Sequence, residues 1–415
     1  MQFMMSPRSS TTLMHVPEST AAPVSVDTPE ISVVIPCLNE ARSIGICAEK
    51  ALAAFREIGI RGEVVVADNG STDGSIEIAE KLGARVVHVA TRGYGNALRR
   101  GIEEAKGEFI IMGDADDSYD FSQVPDFVAK WRQGSELIMG NRFEGGIKPG
   151  AMPWLHKYLG NPALTAILNS FFHAGIGDAY CGMRGFTKRV YERVDPHTTG
   201  MEFALELVIK AAKLGVKVTE IPVTLWPDKR GRQPHLRTFH DGWRSLRFML
   251  LYAPNWLFLL PGISLLALGL SLVLWLFPEP RRLGHVTIDV HTMLFGMMFA
   301  LVGAQIISIG LFAKVYSYAE RFSQNQRSLE RWLRRVKLEH GLALGGVFAL
   351  SGAGGAFWLL WKWAASGFGH FDQIRSVILF SLSFFLGVQV IFSSFFISML
   401  GISRGTYIGD YDDLS

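Results

Sequence analysis

The sequence predicts an α/β domain with a Rossmann-like parallel sheet, followed by a domain of four membrane-spanning helices. Two observations predict it. From Ile31 to about Leu225 short apolar runs alternate with longer helical patterns, which is how a parallel sheet with crossover helices is written in a chain. After Arg247, four stretches lack Asp, Glu, Lys and Arg for long enough to cross a hydrocarbon layer, which takes roughly 20 helical residues. Length agrees, because 415 residues exceed what one compact core normally holds.

Residues 1–29 mix Ser, Thr, Pro and Met with neither a continuous apolar core nor a basic start, so they read as a flexible tail and not as a signal peptide. The α/β domain is assigned to 30–235. Its candidate strands are Ile31–Pro36, Glu63–Ala67, Arg85–Val89, Glu108–Met112 and Glu136–Met139, each ending near polar or Gly-containing residues. Ligands of such sheets bind just beyond those ends.

Residues 236–252 read as an amphipathic helix lying in a membrane interface. Leu236, Phe239, Trp243 and Leu246 fall on one face, with Arg237, Arg244 and Arg247 placed to meet lipid phosphates. The membrane domain, 253–403, holds spans at about 254–277, 290–313, 341–361 and 376–402. Between the second and third, loop 314–339 carries Lys314, Arg321, Arg327, Arg331, Arg334, Arg335 and Lys337, and a second apolar stripe of Leu329, Trp332, Leu333 and Val336. Lys and Arg beside spans stay in the cytoplasm. The expectation is therefore a multi-pass protein of the cell (inner) membrane with the α/β domain, this loop and both termini, including the tail 404–415, cytoplasmic. Arg281 and Arg282 in the first outer loop pull mildly the other way.

A net charge of +3, with its basic residues beside apolar spans, gives no nucleic-acid footprint and favours a membrane surface as the anionic partner. Cys37, Cys47 and Cys181 have neither zinc-ligand spacing nor a disulfide framework. Self-association is left open.

The chemistry-bearing stretch is GDADDS, Gly113–Ser118, after the apolar run EFIIM. Carboxylates spaced D-x-D at a strand end can hold a divalent cation between the phosphates of a nucleotide diphosphate, because hard cations take oxygen ligands and keep substrate phosphates in their shell. Asp114 and Asp116 are the candidate ligands for Mg²⁺ or Mn²⁺, with Asp117 as a spare. Two further strand ends supply context. PCLNE, Pro36–Glu40, closes the first strand, and ADNGSTDG, Ala67–Gly74, closes the second with Asp68 and Asn69 at its tip. Such groups can accept hydrogen bonds from a nucleobase and ribose, while the helix that follows favours phosphate at its N-terminus.

In order, ISVVIPCLNE, VVVADNGSTDGS, RGYGNALRRGIEEAKGEFIIMGDADDS and GNRF resemble inverting glycosyltransferase family 2, in particular dolichol-phosphate mannosyltransferases and bacterial polyprenyl-phosphate glycosyltransferases. The resemblance covers roughly residues 31–250. It implies a nucleotide-sugar-binding domain of the GT-A type, a nucleotide-sugar donor and a polyprenyl-phosphate lipid acceptor. By the same resemblance Pro36, Asn39, Glu40, Asp68 and Asn69 would line the nucleoside pocket, and Asp114, Ala115 and Asp116 would bind the diphosphate through the metal. Asp114, Asp116 and Arg142 would carry catalysis. Arg142, with Arg230, Arg232 and Arg237 of KRGRQPHLR, would face donor and acceptor phosphates. Lys157 in WLHKYLGN and Asp178 in DAYCGMRGF fall where members place acceptor contacts. The chain departs from the pattern at Asn69, where a second Asp is common, and at GRQPHLR, where many members read closer to G-x-S-K.

A hydroxyl acceptor would need a general base, for which Glu202 and Glu206 of GMEFALELV are the candidates. A phosphate monoester, with its second pKa near 6, is already anionic and needs none. The competing readings are transfer to a glycolipid or polysaccharide hydroxyl, and a lipid-linked sugar flippase with a nucleotide-binding domain. Against the second, the four spans hold no Asp, Glu, Lys or Arg that would mark a transport path, only His291 and His340 near their ends and Gln305 and Gln389 inside.

Overall fold

The computed structural model describes residues 28–229, 238–319 and 338–402. Seven strands form one sheet: β1 Ile31–Cys37, β2 Gly62–Asp68, β3 Arg85–His88, β4 Phe109–Met112, β5 Leu137–Asn141, β6 Arg184–Thr187 and β7 Val218–Pro222. The helices of this half are α1 Ile44–Glu57, α2 Ser75–Lys81, α3 Tyr94–Glu104, α4 Val124–Arg132, α5 Arg142–Gly145, α6 Asn161–Phe172, α7 Lys188–Val194, α8 Phe203–Lys213 and α9 Thr238–Tyr252. The strand order is β3-β2-β1-β4-β6-β5-β7.

β1 explains why the sheet is covered on both sides. Its alternate residues Val33 and Ile35 face a cluster with Ile44, Ala51 and Phe55 of α1, while Val34 faces Leu98 and Ile102 of α3. A strand buried on both faces reads as a continuous apolar run, which is what ISVVI is. The five strands expected from sequence are present. The sheet, however, is mixed, not parallel throughout: β6 pairs antiparallel with both β4 and β5. Its first three residues close DAYCGMRGF, which reads as a site loop because RGFT has one large apolar side chain and no alternation. Gly185 lets it pack, since a Cβ there would lie 2.5 Å from the Phe109 ring.

α9 does not present the single stripe expected of it. Phe239 and Trp243 are exposed at 84% and 60%, whereas Leu246, Phe248, Met249 and Tyr252 pack against α6 and α8. Leu236 and Arg237 lie outside the described residues, as does the second expected stripe, 329–336.

Four helices long and apolar enough to cross a membrane follow, with spans Asn255–Leu276, Val290–Tyr316, Leu338–Ala365 and Ile374–Leu400. Their regular portions are α10 Leu260–Leu276, α11 Val290–Ala319, α12 Leu338–Ala365 and α13 Ile374–Ile402, and a short hairpin of β8 Arg281–Leu283 and β9 Val286–Ile288, not expected from sequence, joins the first two. They pair as two hairpins, α10 with α11 and α12 with α13, through glycine. A Cβ on Gly269 would sit 2.3 Å from Ala300 N, and one on Gly352 2.4 Å from Phe384 N. Small residues allow this backbone approach, which gives helices in lipid their van der Waals contact. Between hairpins, α11 meets α13, and Arg375 pairs with Asp289 at 2.6 Å at the end where both helices begin.

Candidate active site

The order β2-β1-β4 places the three polar strand ends side by side, and the chain reverses its winding direction between β1 and β4. A crevice opens at such a switch point. The first two ends lock together. Asn39, at φ 58°, accepts from Thr72 N at 2.8 Å, Ser71 Oγ accepts from Asn39 N at 2.9 Å, and Ser75 Oγ accepts from Glu40 N at 2.8 Å. Asp68 accepts from Gly70 N and Ser71 N, both at 3.0 Å, which closes the turn that follows it. Glu40 and Asp68 are buried at the crevice, Pro36 is half-buried, and Asn39 is exposed.

Asn69 is committed to structure. Its amide nitrogen donates to Val89 O and Thr91 O at 3.1 and 3.0 Å, and its amide oxygen accepts from Gly93 N at 2.7 Å. An aspartate could not donate to those two carbonyls, so the departure from the family pattern at this position holds the 89–93 loop in place. The substrate-contacting role expected of its side chain is therefore corrected to a clamp.

The D-x-D turn hangs from β4 by Gly113. Asp114 Oδ1 accepts from Tyr94 Oη at 3.0 Å, and Asp116 Oδ1 accepts from Ser118 N at 3.0 Å and Ser118 Oγ at 2.6 Å. Ala115 between them is buried. A Cβ at position 182 would stand 2.7 Å from Asp114 Oδ2, so Gly182 keeps space open beside that oxygen. Among the described residues no third His, Cys, Asp or Glu joins a metal cluster. Two carboxylate groups with room beside them fit a cation that takes its remaining ligands from substrate phosphates and water. Asp117 does not serve as a spare ligand: at φ 59° it turns away to pair with Lys50 at 2.8 Å and Lys229 at 2.6 Å. Lys229 N also donates to Asp116 O at 3.0 Å, which ties Lys229 to the D-x-D turn through its backbone as well as its side chain. Arg230, Arg232 and Arg237 lie outside the described residues.

Arg142 and Asp178 form a buried pair. Nε donates to Oδ2 at 2.6 Å and Nη2 to Oδ1 at 2.8 Å, with side chains 8% and 0% exposed. Burial works against the guanidinium charge, but Tyr119 and Asp178 beside it outweigh that and hold Arg142 protonated well above its usual range. Asp178 is thus enclosed behind Arg142, a positioning residue rather than an acceptor contact. Lys157 sits in the single wide turn His156–Gly160 with Nζ 5.3 Å over the Tyr158 ring, and no contact joins it to the cluster among the described residues.

Both candidate bases are occupied. Glu202 is gripped by Arg244 of α9, whose Nε and Nη2 donate to its two oxygens, the second at 2.7 Å. Glu206 is buried and accepts from His197 N, Thr198 N and Thr198 Oγ while pairing with Lys210 at 2.7 Å. Burial pushes its carboxyl up, and Lys210 and Thr198 more than reverse this, so it lies below the usual glutamate range.

Three residues were not foreseen. Tyr94 orients Asp114; Tyr119 Oη accepts from Gly182 N at 2.7 Å; and fully enclosed Arg184 donates to Cys181 O, Ala179 O and Ala204 O, pinning the 178–184 segment. RGYGN and DAYCGMRGF contain two of them, but nothing in their spacing shows which side chain reaches the acidic turn.

Residues 32–195 match Glycosyl transferase family 2, and 311–401 match the Glycosyltransferase family 2 C-terminal transmembrane region. The low-salt glycan biosynthesis hexosyltransferase Agl6 of Haloferax volcanii is 39% identical over 377 residues, which span 90% of this chain and 89% of that protein. The dolichyl-phosphate hexose transferase of the same organism is 30% identical over 196 residues, 47% of this chain and 82% of that protein. Glucosyl-3-phosphoglycerate synthase from Mycobacterium tuberculosis, solved with Mn²⁺, UDP-glucose and phosphoglyceric acid, gives a TM-score of 0.45 at 20% identity over 54% of this chain and 80% of that one.

Proposed function

The chain belongs to glycosyl transferase family 2, and we propose that it transfers a hexosyl group from a UDP- or GDP-linked donor to a polyprenyl or dolichyl phosphate at the cytoplasmic membrane face, with inversion, for cell-envelope glycan synthesis. The observation that carries this reading is the engagement of Glu202 by Arg244 and of Glu206 by Lys210 and Thr198. A hydroxyl acceptor would have to lose its proton to a free base. A phosphate acceptor arrives as a nucleophile.

Asp114 and Asp116, oriented by Tyr94 and Ser118, would hold Mg²⁺ or Mn²⁺. When bound, that ion would offset the charge gathering on the departing diphosphate. Pro36, Asn39, Glu40 and Asp68 would enclose the nucleoside. Arg142, fixed by Asp178, would keep a permanent cation facing phosphate oxygens without spending side-chain freedom at the moment of reaction. One oxygen of the lipid phosphate then attacks the sugar's anomeric carbon in line, that carbon's bond to the diphosphate oxygen breaks, and the configuration inverts. α9 supports a lipid acceptor as well, because it runs from the Glu202 contact straight into the first span. The Lys- and Arg-rich connection after the second span supports the cytoplasmic side.

The test is to incubate detergent-purified protein with polyprenyl phosphate, Mn²⁺ or Mg²⁺, and a panel of labelled UDP- and GDP-sugars, beside Asp116→Ala. Metal-dependent label in the lipid phase, absent from the variant, is expected for one donor. Sugar release with no lipid label across the panel would exclude the phosphate acceptor.

A further inference from the structure

Two amides sit where hydrocarbon should be. Gln305 of α11 and Gln389 of α13 each lie 15 residues beyond the first residue of their helix. At 1.5 Å per residue that is about 22 Å along the axis, still inside a hydrocarbon layer about 30 Å thick. Both helices follow connections on the same side of the bundle, so they run the same way and carry the amides at one depth.

Gln389 Nε2 donates to Gln305 Oε1 at 3.1 Å and to Ser308 Oγ at 3.3 Å, and Ser393 Oγ donates to Ser308 Oγ at 3.2 Å. Among the described residues this leaves Gln305 Nε2 and Gln389 Oε1 without partners. Turning both amides over only exchanges which residue offers the donor. Gln305 is exposed, at the edge of a cleft of about 870 Å³ walled by Phe312, Phe385, Phe392 and Phe396.

An unpaired donor and acceptor in hydrocarbon are strongly unfavourable, and this decides between occupants of the cleft. A prenyl or acyl chain would cover the phenylalanines and leave both polar groups as they are. A second copy inserted the same way has its own Gln305 and Gln389 at the same depth. A two-fold axis along the membrane normal then pairs the donor of each copy with the acceptor of the other. We infer that this face is the interface of a homodimer within the membrane, in which Gln305 Nε2 donates to Gln389 of the partner subunit and the reciprocal bond closes the ring. The phenylalanine walls are buried in the same contact.

Full-length protein labelled in two separate batches with a fluorescent donor and acceptor is mixed in liposomes at falling protein-to-lipid ratio. Energy transfer that persists on dilution is expected, and the variant Gln305→Leu with Gln389→Leu should dissociate at about tenfold higher protein density, the effect of losing two interhelical hydrogen bonds in lipid. Because these glutamines also join α11 to α13 within one copy, a second measurement leaves them intact. Val302→Cys, exposed on the cleft wall, should cross-link to itself with a short bis-maleimide, and Leu350→Cys, exposed on α12 away from the cleft, should not. The native cysteines are buried and stay silent. The inference is overturned if the wild type is monomeric at every density, if the leucine variant associates as well as the wild type, if cross-linking runs through Leu350→Cys instead, or if added polyprenyl phosphate abolishes energy transfer.

Discussion

Replacing Asp178 by alanine separates what the buried pair does for the fold from what Arg142 does in the crevice. The Asp178 carboxylate, fully enclosed, accepts from Nε and Nη2 of Arg142, at 2.6 and 2.8 Å, and from the backbone N–H groups of Arg142 and Tyr180, at 3.1 and 3.2 Å. Its removal leaves a cation almost out of solvent with no counter-charge. Breaking such a pair costs about 3–5 kcal/mol. At about 2–4 °C per kcal/mol for a unit of roughly 200 residues, the first unfolding transition should fall by about 6–20 °C. Arg142→Ala should fall comparably, since it strands Asp178 instead. The decisive variant is Arg142→Met with Asp178→Leu, where similar volume and no charge should restore most of the transition. Transfer should be lost in it, because the cation proposed to face the phosphates is then gone. Tryptophan fluorescence during heating and label in the lipid phase report the two quantities on the same samples. The reasoning is refuted if Asp178→Ala shifts the transition by less than about 2 °C, or if the apolar double variant transfers sugar at the wild-type rate.

Tyr94→Phe removes the hydrogen bond that orients Asp114, an outer-shell partner of a metal carboxylate, so the Mn²⁺ concentration for half-maximal UDP binding should rise by roughly 10- to 100-fold; titration calorimetry reads it. Glu202→Gln should keep the shape of the pH–rate profile, as expected of a residue tied to Arg244; loss of an ionisation limb would return Glu202 to the role of base. Glu206 titrates below the usual glutamate range in the fold, so its contribution is present above the unfolded pKa and is lost as pH falls through the lower folded value. Thermal stability should therefore drop on acidification below about pH 4.3, the unfolded glutamate value, and Glu206→Gln should flatten that part of the curve.

The sequence makes some of this plain and hides the rest for identifiable reasons. The runs at Ile31, Glu63 and Glu108 are apolar on both faces, and their ends are polar, so strand positions and the crevice follow from one pattern. The four spans follow from missing charge alone. β6 is hidden because a strand of four residues that begins inside a motif carries no period. Asn69 looks like a substrate contact because residue type says what a group can bond, while its actual partners come from a loop 20 residues away. Asp117 is the same case: only the fold brings Lys50 to it, across α1. Pairings of distant side chains are set by strand order, and strand order is the least local property the chain has.

The glycine contacts also bear on how the membrane half is made. Each hairpin closes on itself, backbone against backbone, across a short connection, and uses nothing from the other hairpin to do so. The ribosome can therefore deliver the first pair of spans as a finished clasp before the second pair has been translated. Assembly then reduces to laying one clasp beside the other in the bilayer, with Arg375 and Asp289 as the point of alignment. Insertion in two strokes limits the time any single glycine-rich helix spends alone in lipid.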